Sequence, residues 1–484
     1  MNAKSFLQKK NLIIVLALLT PIMGAIIYLL SKGMWFNKVY IPNSLWNDEL
    51  FYYKQVEAMI DYGHPLGFFG FTESTALHGG FGAWNFTNLL PFVIVGKIFG
   101  WNPFTPIVFN IILWMFALVL FVVLIKPDFK QQCLVSGFVI SYAVLLRYFF
   151  STTPEAMLAA LLFIYCTLVL HYYRSGSIIT FVISNILLVG LVSMQGYYAA
   201  FGLIMLAILV KKHEITKLVA QIVVLLVAVV IFVAINHYFT AAYFFSIIDF
   251  EVFKSPALLF EKFNANRLET IEFMKLAIHG ESMRGVWYLA YMLLGIFVII
   301  MLVKKRDLIS VSMLLTWIVM LVAMWTLYNA SEGSRKLMAC TIAGFIMMMV
   351  IQKNAIINVI SIILIGIMCW GSHETFYTDL PVYNEELASR VQSYSLDEVM
   401  PLSDSNKWDN TIVWTLTAPF NELYALPSGY GISCCYDDYI LSYFDMVQSK
   451  YVAVRVGEDT DIFLQQIGCE NIANCGEVNI YMIR

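Results

Sequence analysis

The sequence predicts an α-helical polytopic membrane protein of about 11 transmembrane helices with a small extracytoplasmic α/β domain at its C-terminal end. Three observations predict it. Of 484 residues, 60% are hydrophobic and only 13% charged, where an ordinary soluble domain carries roughly 25% charged residues. Eleven windows are long and apolar enough to approach the roughly 20 residues that cross a bilayer, and Lys and Arg gather in alternate connections between them. After Trp370 the composition changes, with Asp, Glu, Asn and Ser at soluble frequency.

The first window, about Leu12 to Leu30, follows Lys4, Lys9 and Lys10, which places the N-terminus in the cytoplasm. Its apolar stretch exceeds a signal-peptide core and many spans follow, so it reads as an uncleaved helix. Further windows run near 104–125, 133–150, 155–172, 178–194, 197–210, 218–238, 286–303, 308–328, 337–351 and 355–370. Eleven spans leave Lys126 to Lys130, Arg174, Lys211, Lys212, Lys217, Lys304 to Arg306, and Lys353 on the inside. The apolar stretch "FTNLLPFVIVGKIFG" at 86–100 is short and contains Pro91. Counted as a span, it would move Lys126 and Lys130 outside, so a re-entrant or interfacial segment is expected.

Three regions then face outward: a first loop at about 32–103, a second at about 239–285, and the tail. The bundle is read as residues 1–370 and the soluble domain as 371–484. In the tail, "TIVWTLT", "YVAVRV" and "EVNIYMIR" have strand character, and "YNEELASRVQSY" and "DIFLQQIG" helix character. Cys434, Cys435, Cys469 and Cys475 lie there, where an oxidising exterior permits disulfides and a tight Cys469–Cys475 loop is one pairing. Spacing leaves the pairing open. A zinc site lacks a CxxC pair or a nearby His.

Chemistry concentrates outside. "WNDELFYYKQVEAM" places Asp48 and Glu49 in the first loop, where a helix would align Asp48, Tyr52 and Gln55 on one side and apolar residues on another, an amphipathic helix fit for the interface. Structure alone also accounts for the pair, with Asn47 as N-cap and both carboxylates in the first turn. The loop continues through Glu73, His64 and His78 in a glycine- and aromatic-rich stretch suited to the interface or to sugar rings. Arg335 and Lys336 in "NASEGSRKL", and Arg147 in "LLRYFFSTTPEAM", could grip a phosphate or merely snorkel. In "TTPE", Thr153 as N-cap, Pro154 and Glu155 read as a helix start. The stretch "SPALLFEKFNANRLETIEFMKLAIHG" reads as a surface helix.

An Asp48-Glu49 pair after the first span, a Pro-containing apolar segment ending in Lys-Ile-Phe-Gly, an acidic point after "RYFFSTTPEA", the late external Arg335 and a soluble C-terminal domain together resemble the GT-C superfamily of polytopic membrane glycosyltransferases. The resemblance implies transfer of a sugar from a polyprenyl-phosphate donor to a glycan, lipid or protein acceptor of the cell envelope, usually with inversion. It makes Asp48 the catalytic carboxylate, Glu49 its neighbour and Arg335 the phosphate cation. Lys336, Arg147, Tyr52, Glu73, His78 and Glu155 are then candidate substrate-binding residues, Glu155 matching loosely a position commonly Asp. A base and a cation suffice for this chemistry, so no cofactor is required. A divalent cation at Asp48, Glu49 or His78 is compatible with it, because some members with pyrophosphate donors use one.

Expected partners are membrane lipids, the lipid-linked donor and the acceptor, with no nucleic acid. The rival readings are a flippase or transporter of lipid-linked saccharides, and a non-catalytic partner. Transport is disfavoured because the acidic residues concentrate outside the spans rather than near mid-membrane.

Overall fold

Apolar runs in a bilayer must satisfy their backbone groups internally, and this chain does so with helices. The computed structural model describes residues 3–36, 48–63, 69–70, 73, 86–239, 254–372, 396, 398–403, 406 and 408–483. The bundle comprises α1 (Ala3–Ser31), α2 (Asp48–Tyr62), α3 (Leu90–Phe99), α4 (Thr105–Ile125), α5 (Phe129–Ser141), α6 (Ala143–Phe149), α7 (Glu155–Ser175) and α8 (Ile178–Met194). It continues with α9 (Gly202–Lys211), α10 (Ile215–Phe239), α11 (Pro256–Ile278), α12 (Met283–Lys305), α13 (Leu308–Leu327), α14 (Ala330–Gln352) and α15 (Ala355–Gly371).

Every expected window meets an apolar helix, and among the described residues seven helices are both long and apolar enough to span: α1, α4, α7, α10, α12, α13 and α14. The pair α5 and α6, bent by 70°, makes an eighth if taken as one span. The segments α8, α15 and the 3-10 turn Gly196–Phe201 with α9 are apolar but shorter, and they occupy the three remaining expected windows. At ten residues, α3 rises only about 15 Å, too little to cross.

Local sequence sets the helix ends. Asp128 and Gln131 form a capping box at the start of α5, and Ser282, Asp307 and Asn354 each cap the helix that follows them. Lys126, Arg306 and Lys353 close α4, α12 and α14 in the left-handed conformation, so basic residues mark the ends of three helices. The surface helix read at 255–280 is α11, capped by Ser255.

Two local expectations are corrected. The helix α2 keeps no solvated polar face: Glu49 through Gln55, Val56, Ala58 and Met59 are buried, because α3 and Trp101 cover one side and the turn Phe420–Ala425 of the C-terminal domain another. The helix α7 begins one residue later than its sequence signal, with Pro154 as N-cap; the Thr153 hydroxyl pairs with Ser151 instead.

The C-terminal region carries β2 (Thr411–Thr415), β3 (Gly431–Cys435), α16 (Asp437–Tyr443), β4 (Tyr451–Arg455), α17 (Asp459–Gln466), β5 (Glu470–Cys475) and β6 (Val478–Met482). A further strand, β1 (Phe69–Gly70) of the first loop, joins the same sheet in the order β1-β3-β2-β4-β6-β5. The first four strands run parallel, and β6 is antiparallel to both β4 and β5. One sheet face, with Ile412, Trp414 and Ile432, is continuous with the bundle core; Val413, Val452 and Tyr481 on the other pack against Ile440 of α16 and Leu464 of α17. Close to β1, the Glu73 carboxylate accepts from the backbone N–H of Gln448 (3.0 Å) and Ser449 (2.6 Å) and from the Tyr439 hydroxyl (3.1 Å). Burial and this carboxylate push the Tyr439 phenol up to about 12.

The cysteines form no disulfide. Cys469 precedes β5 and Cys475 ends it, so an extended strand of roughly 20 Å holds them apart. Adjacent Cys434 and Cys435 project to opposite sheet faces, into different cores. The helical reading of "YNEELASRVQSY" lies outside the described residues.

Candidate active site

Two interruptions in the bundle bring charge to one end of it. The first lies between α5 and α7, where the chain bends at Tyr142, makes the short α6 and runs through Phe150–Pro154. Carbonyls at such a break need donors. The Asn110 amide of α4 supplies them, donating to the carbonyls of Tyr148 (3.3 Å), Phe149 (3.3 Å) and Ser151 (3.0 Å), while the Trp114 indole donates to Ala156 (2.9 Å). The break is thereby fixed, with Arg147 before it and Glu155 after it.

The second interruption separates α13 from α14. Asn266 of α11 donates to the carbonyls of Trp325 (2.8 Å) and Tyr328 (3.0 Å) and accepts from the Ala330 N–H (2.9 Å). The Tyr288 hydroxyl holds the Ala330 carbonyl at 2.7 Å. Glu332, Arg335 and Lys336 occupy the first turns of the helix so anchored.

Between these breaks stand two ion pairs. Arg147 Nη2 donates to Glu49 Oε1 at 3.1 Å, with the two side chains only 8% and 4% exposed. Ser151 Oγ donates to the same oxygen at 2.7 Å, and Thr152 Oγ1 donates to the Glu49 backbone carbonyl. Arg335 Nε stands 3.0 Å from Glu155 Oε1 and its Nη2 3.5 Å from Glu332. The two pairs flank one break and so make one cluster along the chain, Arg147 standing before Phe150–Pro154 and Glu155 directly after it. The guanidinium of Arg147 also lies over the Tyr148 ring, and Lys336 over the Tyr328 ring.

Arg147, Lys336 and Glu49 are thus buried, and Arg335 is turned toward another helix; none of the cations snorkels. Tyr52, one turn along α2 from Glu49, is fully buried. Glu49 Oε2, both Glu155 oxygens and the Gln55 amide are buried without a hydrogen-bond partner among the described residues. The 3.0 Å approach of Arg335 to Glu155 is therefore an ion contact without hydrogen-bond geometry.

The other expected site residues lie elsewhere. The backbone of Asp48 opens α2, while its side chain and all of His64 and His78 lie outside the described residues. Glu73 is not brought to the cluster: its hydrogen bonds tie the first loop to the C-terminal sheet. Sequence reading passed over Ser151, Thr152, Asn110 and Asn266. The signal available was polar residues inside or beside apolar windows.

Among the described residues no group of three or more His, Cys, Asp or Glu is placed to hold a metal. Glu49 and Glu155 each face a guanidinium, whose charge opposes a divalent ion at the same oxygens. Of the three residues considered for a divalent cation, the Asp48 side chain and His78 lie outside the described residues.

The apolar spans, the bent pair α5–α6 and the C-terminal sheet make a multi-pass membrane architecture with a small sheet domain at its C-terminal end. Among solved structures the chain is similar to the oligosaccharyltransferase of Archaeoglobus fulgidus in complex with zinc and sulfate, with a TM-score of 0.53 and 14% identity over 92% of this chain and 68% of that one. The apo form of that enzyme gives 0.51 and 11%, over 92% and 69%. ArnT from Cupriavidus metallidurans bound to undecaprenyl phosphate gives 0.48 and 10%, over 99% and 98%. The likeness to the oligosaccharyltransferase, at these identities, is one of fold. No family model matches the sequence, and no curated protein matches it.

Proposed function

We propose that the protein moves a sugar from a polyprenyl-phosphate donor to a cell-envelope acceptor on the outer face of the membrane, inverting the anomeric carbon, with Asp48 as general base. The observation that carries this reading is the placing of two ion pairs on either side of the break between α6 and α7, Glu49–Arg147 from the start of α2 and Glu155–Arg335 from the starts of α7 and α14, in a bundle whose fold is similar to that of an oligosaccharyltransferase. Asp48, adjacent to Glu49, takes the proton of the acceptor hydroxyl as its oxygen attacks the anomeric carbon. The bond from that carbon to the phosphate oxygen breaks, and its electron pair leaves on the phosphate. Arg335, with Lys336 one residue on, stabilises that charge. Glu49, fixed by Arg147 and Ser151, orients the first turn of α2 and hence the base. Glu155 sets the direction of the Arg335 guanidinium.

The lysines flanking α1 support a cytoplasmic N-terminus, which puts this cluster and residues 371–484 outside. The test is sugar transfer by the purified protein from a panel of polyprenyl-phosphate sugars to envelope acceptors. Asp48→Asn should lower turnover by 10²–10⁴-fold while donor binding and folding persist. Full activity in that variant rejects Asp48 as the base, and failure of the wild type with every donor rejects the reading itself.

A further inference from the structure

A cavity of about 240 Å³ lies between α7, α9, α12, α13 and α14, away from the ion-pair cluster. Both α7 and α14 begin at the cluster, with Glu155 and Arg335, and reach the cavity rim at their far ends, with Arg174 and Lys353. Along α14 the lining runs from Cys340 to Lys353, about 20 Å at 1.5 Å per residue. That exceeds the roughly 15 Å of hydrocarbon in one leaflet.

Its walls are apolar, with Val169, Leu294, Trp317 and Met347 among them, and its rim is cationic, with Arg174, Lys305 and Lys353. Asp307 also stands at the rim, but Lys211 neutralises it at 3.1 Å. An apolar slot with three positive charges at one mouth, none paired with a carboxylate among the described residues, matches an amphiphile with a negative head. We propose that this cavity binds one chain of an anionic phospholipid from the leaflet opposite the ion-pair cluster, its phosphate resting on Lys305 and Lys353. The chain of a lipid-linked donor is the competing occupant, and it would have to enter from the Arg335 end, where the rim charges contribute nothing. The inference does not depend on the chemistry proposed for the cluster.

The test is native mass spectrometry of the full chain from detergent, titrated with phosphatidylglycerol or with phosphatidylcholine of the same chains. A one-to-one phosphatidylglycerol adduct should appear at about tenfold lower lipid concentration. The preference should vanish in Lys305→Glu/Lys353→Glu, whose side chains are exposed and leave the packing intact. It should persist in Lys304→Glu, which lies outside the lining. Cys166→Trp, which fills the slot, should remove the adduct for both lipids; if that variant fails to fold, the charge reversal decides. Equal binding of the two lipids by the wild type overturns the proposal, as does an unchanged preference in the double variant. Displacement of the adduct by polyprenyl phosphate in the wild type but not in Arg335→Ala also overturns it, because the slot would then hold the donor's chain.

Discussion

Removing Arg147 should expose how much the cluster depends on charge pairing. Two unit charges 3.1 Å apart attract by about 5 kcal/mol at an effective dielectric near 20, and both side chains are almost fully shielded from water. Arg147→Met keeps much of the volume but strands the Glu49 carboxylate with the Ser151 hydroxyl as its one remaining side-chain donor among the described residues. Breaking one side of a buried pair costs about 3–5 kcal/mol, whereas replacing both partners with apolar groups is often neutral. The single variant should therefore lose about 3–5 kcal/mol, and Arg147→Met/Glu49→Met should recover most of it. Unfolding in mixed detergent, followed by tryptophan fluorescence, measures both, and a double-mutant cycle isolates the coupling. A single variant within about 1 kcal/mol of wild type, or a double variant no more stable than the single, would refute the reasoning.

Three further outcomes are expected. Gly285→Ala should lower thermal stability sharply, because an added Cβ would sit 1.8 Å from the backbone carbonyl oxygen of Phe273 and force α11 from α12; Gly190→Ala, with nothing within 4 Å, should be neutral or slightly stabilising. Glu73→Ala should cost about 1.5–3 kcal/mol and speed hydrogen exchange at Gln448, Ser449 and Phe69–Gly70; unchanged exchange would deny the clamp. Burial opposes ionisation of Asp461, but the Gly457 N–H, the Tyr481 hydroxyl and the Asn479 amide outweigh it and hold the carboxyl below its usual range. Its stabilisation is therefore present above the unfolded pKa of about 3.9 and lost as pH falls through the lower folded value. Asp461→Asn should be less stable at neutral pH and should flatten that acid limb, read as exchange protection of residues 457–481 against pH.

Long apolar windows made the bundle legible, because hydrocarbon leaves the backbone few alternatives. The breaks were harder to read. Nothing in the apolar run around Tyr142 marks a 70° bend; the break that follows α6 is held by Asn110, more than thirty residues upstream, and such a partnership has no local signature. The strands β2, β4 and β6 announced themselves by β-branched runs, whereas β3, "GISCC", read as a cysteine cluster and two-residue β1 had no pattern to offer. At the site, Glu49, Arg147, Glu155 and Arg335 were all legible as charges near apolar segments. Their pairing was not, because the members of each pair lie 98 and 180 positions apart.

The union of β1 with β3 also sets a clock. Phe69 pairs with Ile432, so the first loop leaves the ribosome roughly 20–70 s before its sheet partner at ordinary synthesis rates. During that interval every intervening span has to be inserted while an unpaired strand and the Glu73 carboxylate wait in the open. The last step of assembly is therefore the one that seals the first loop, and a chain interrupted late in synthesis leaves an exposed strand edge for quality control to find.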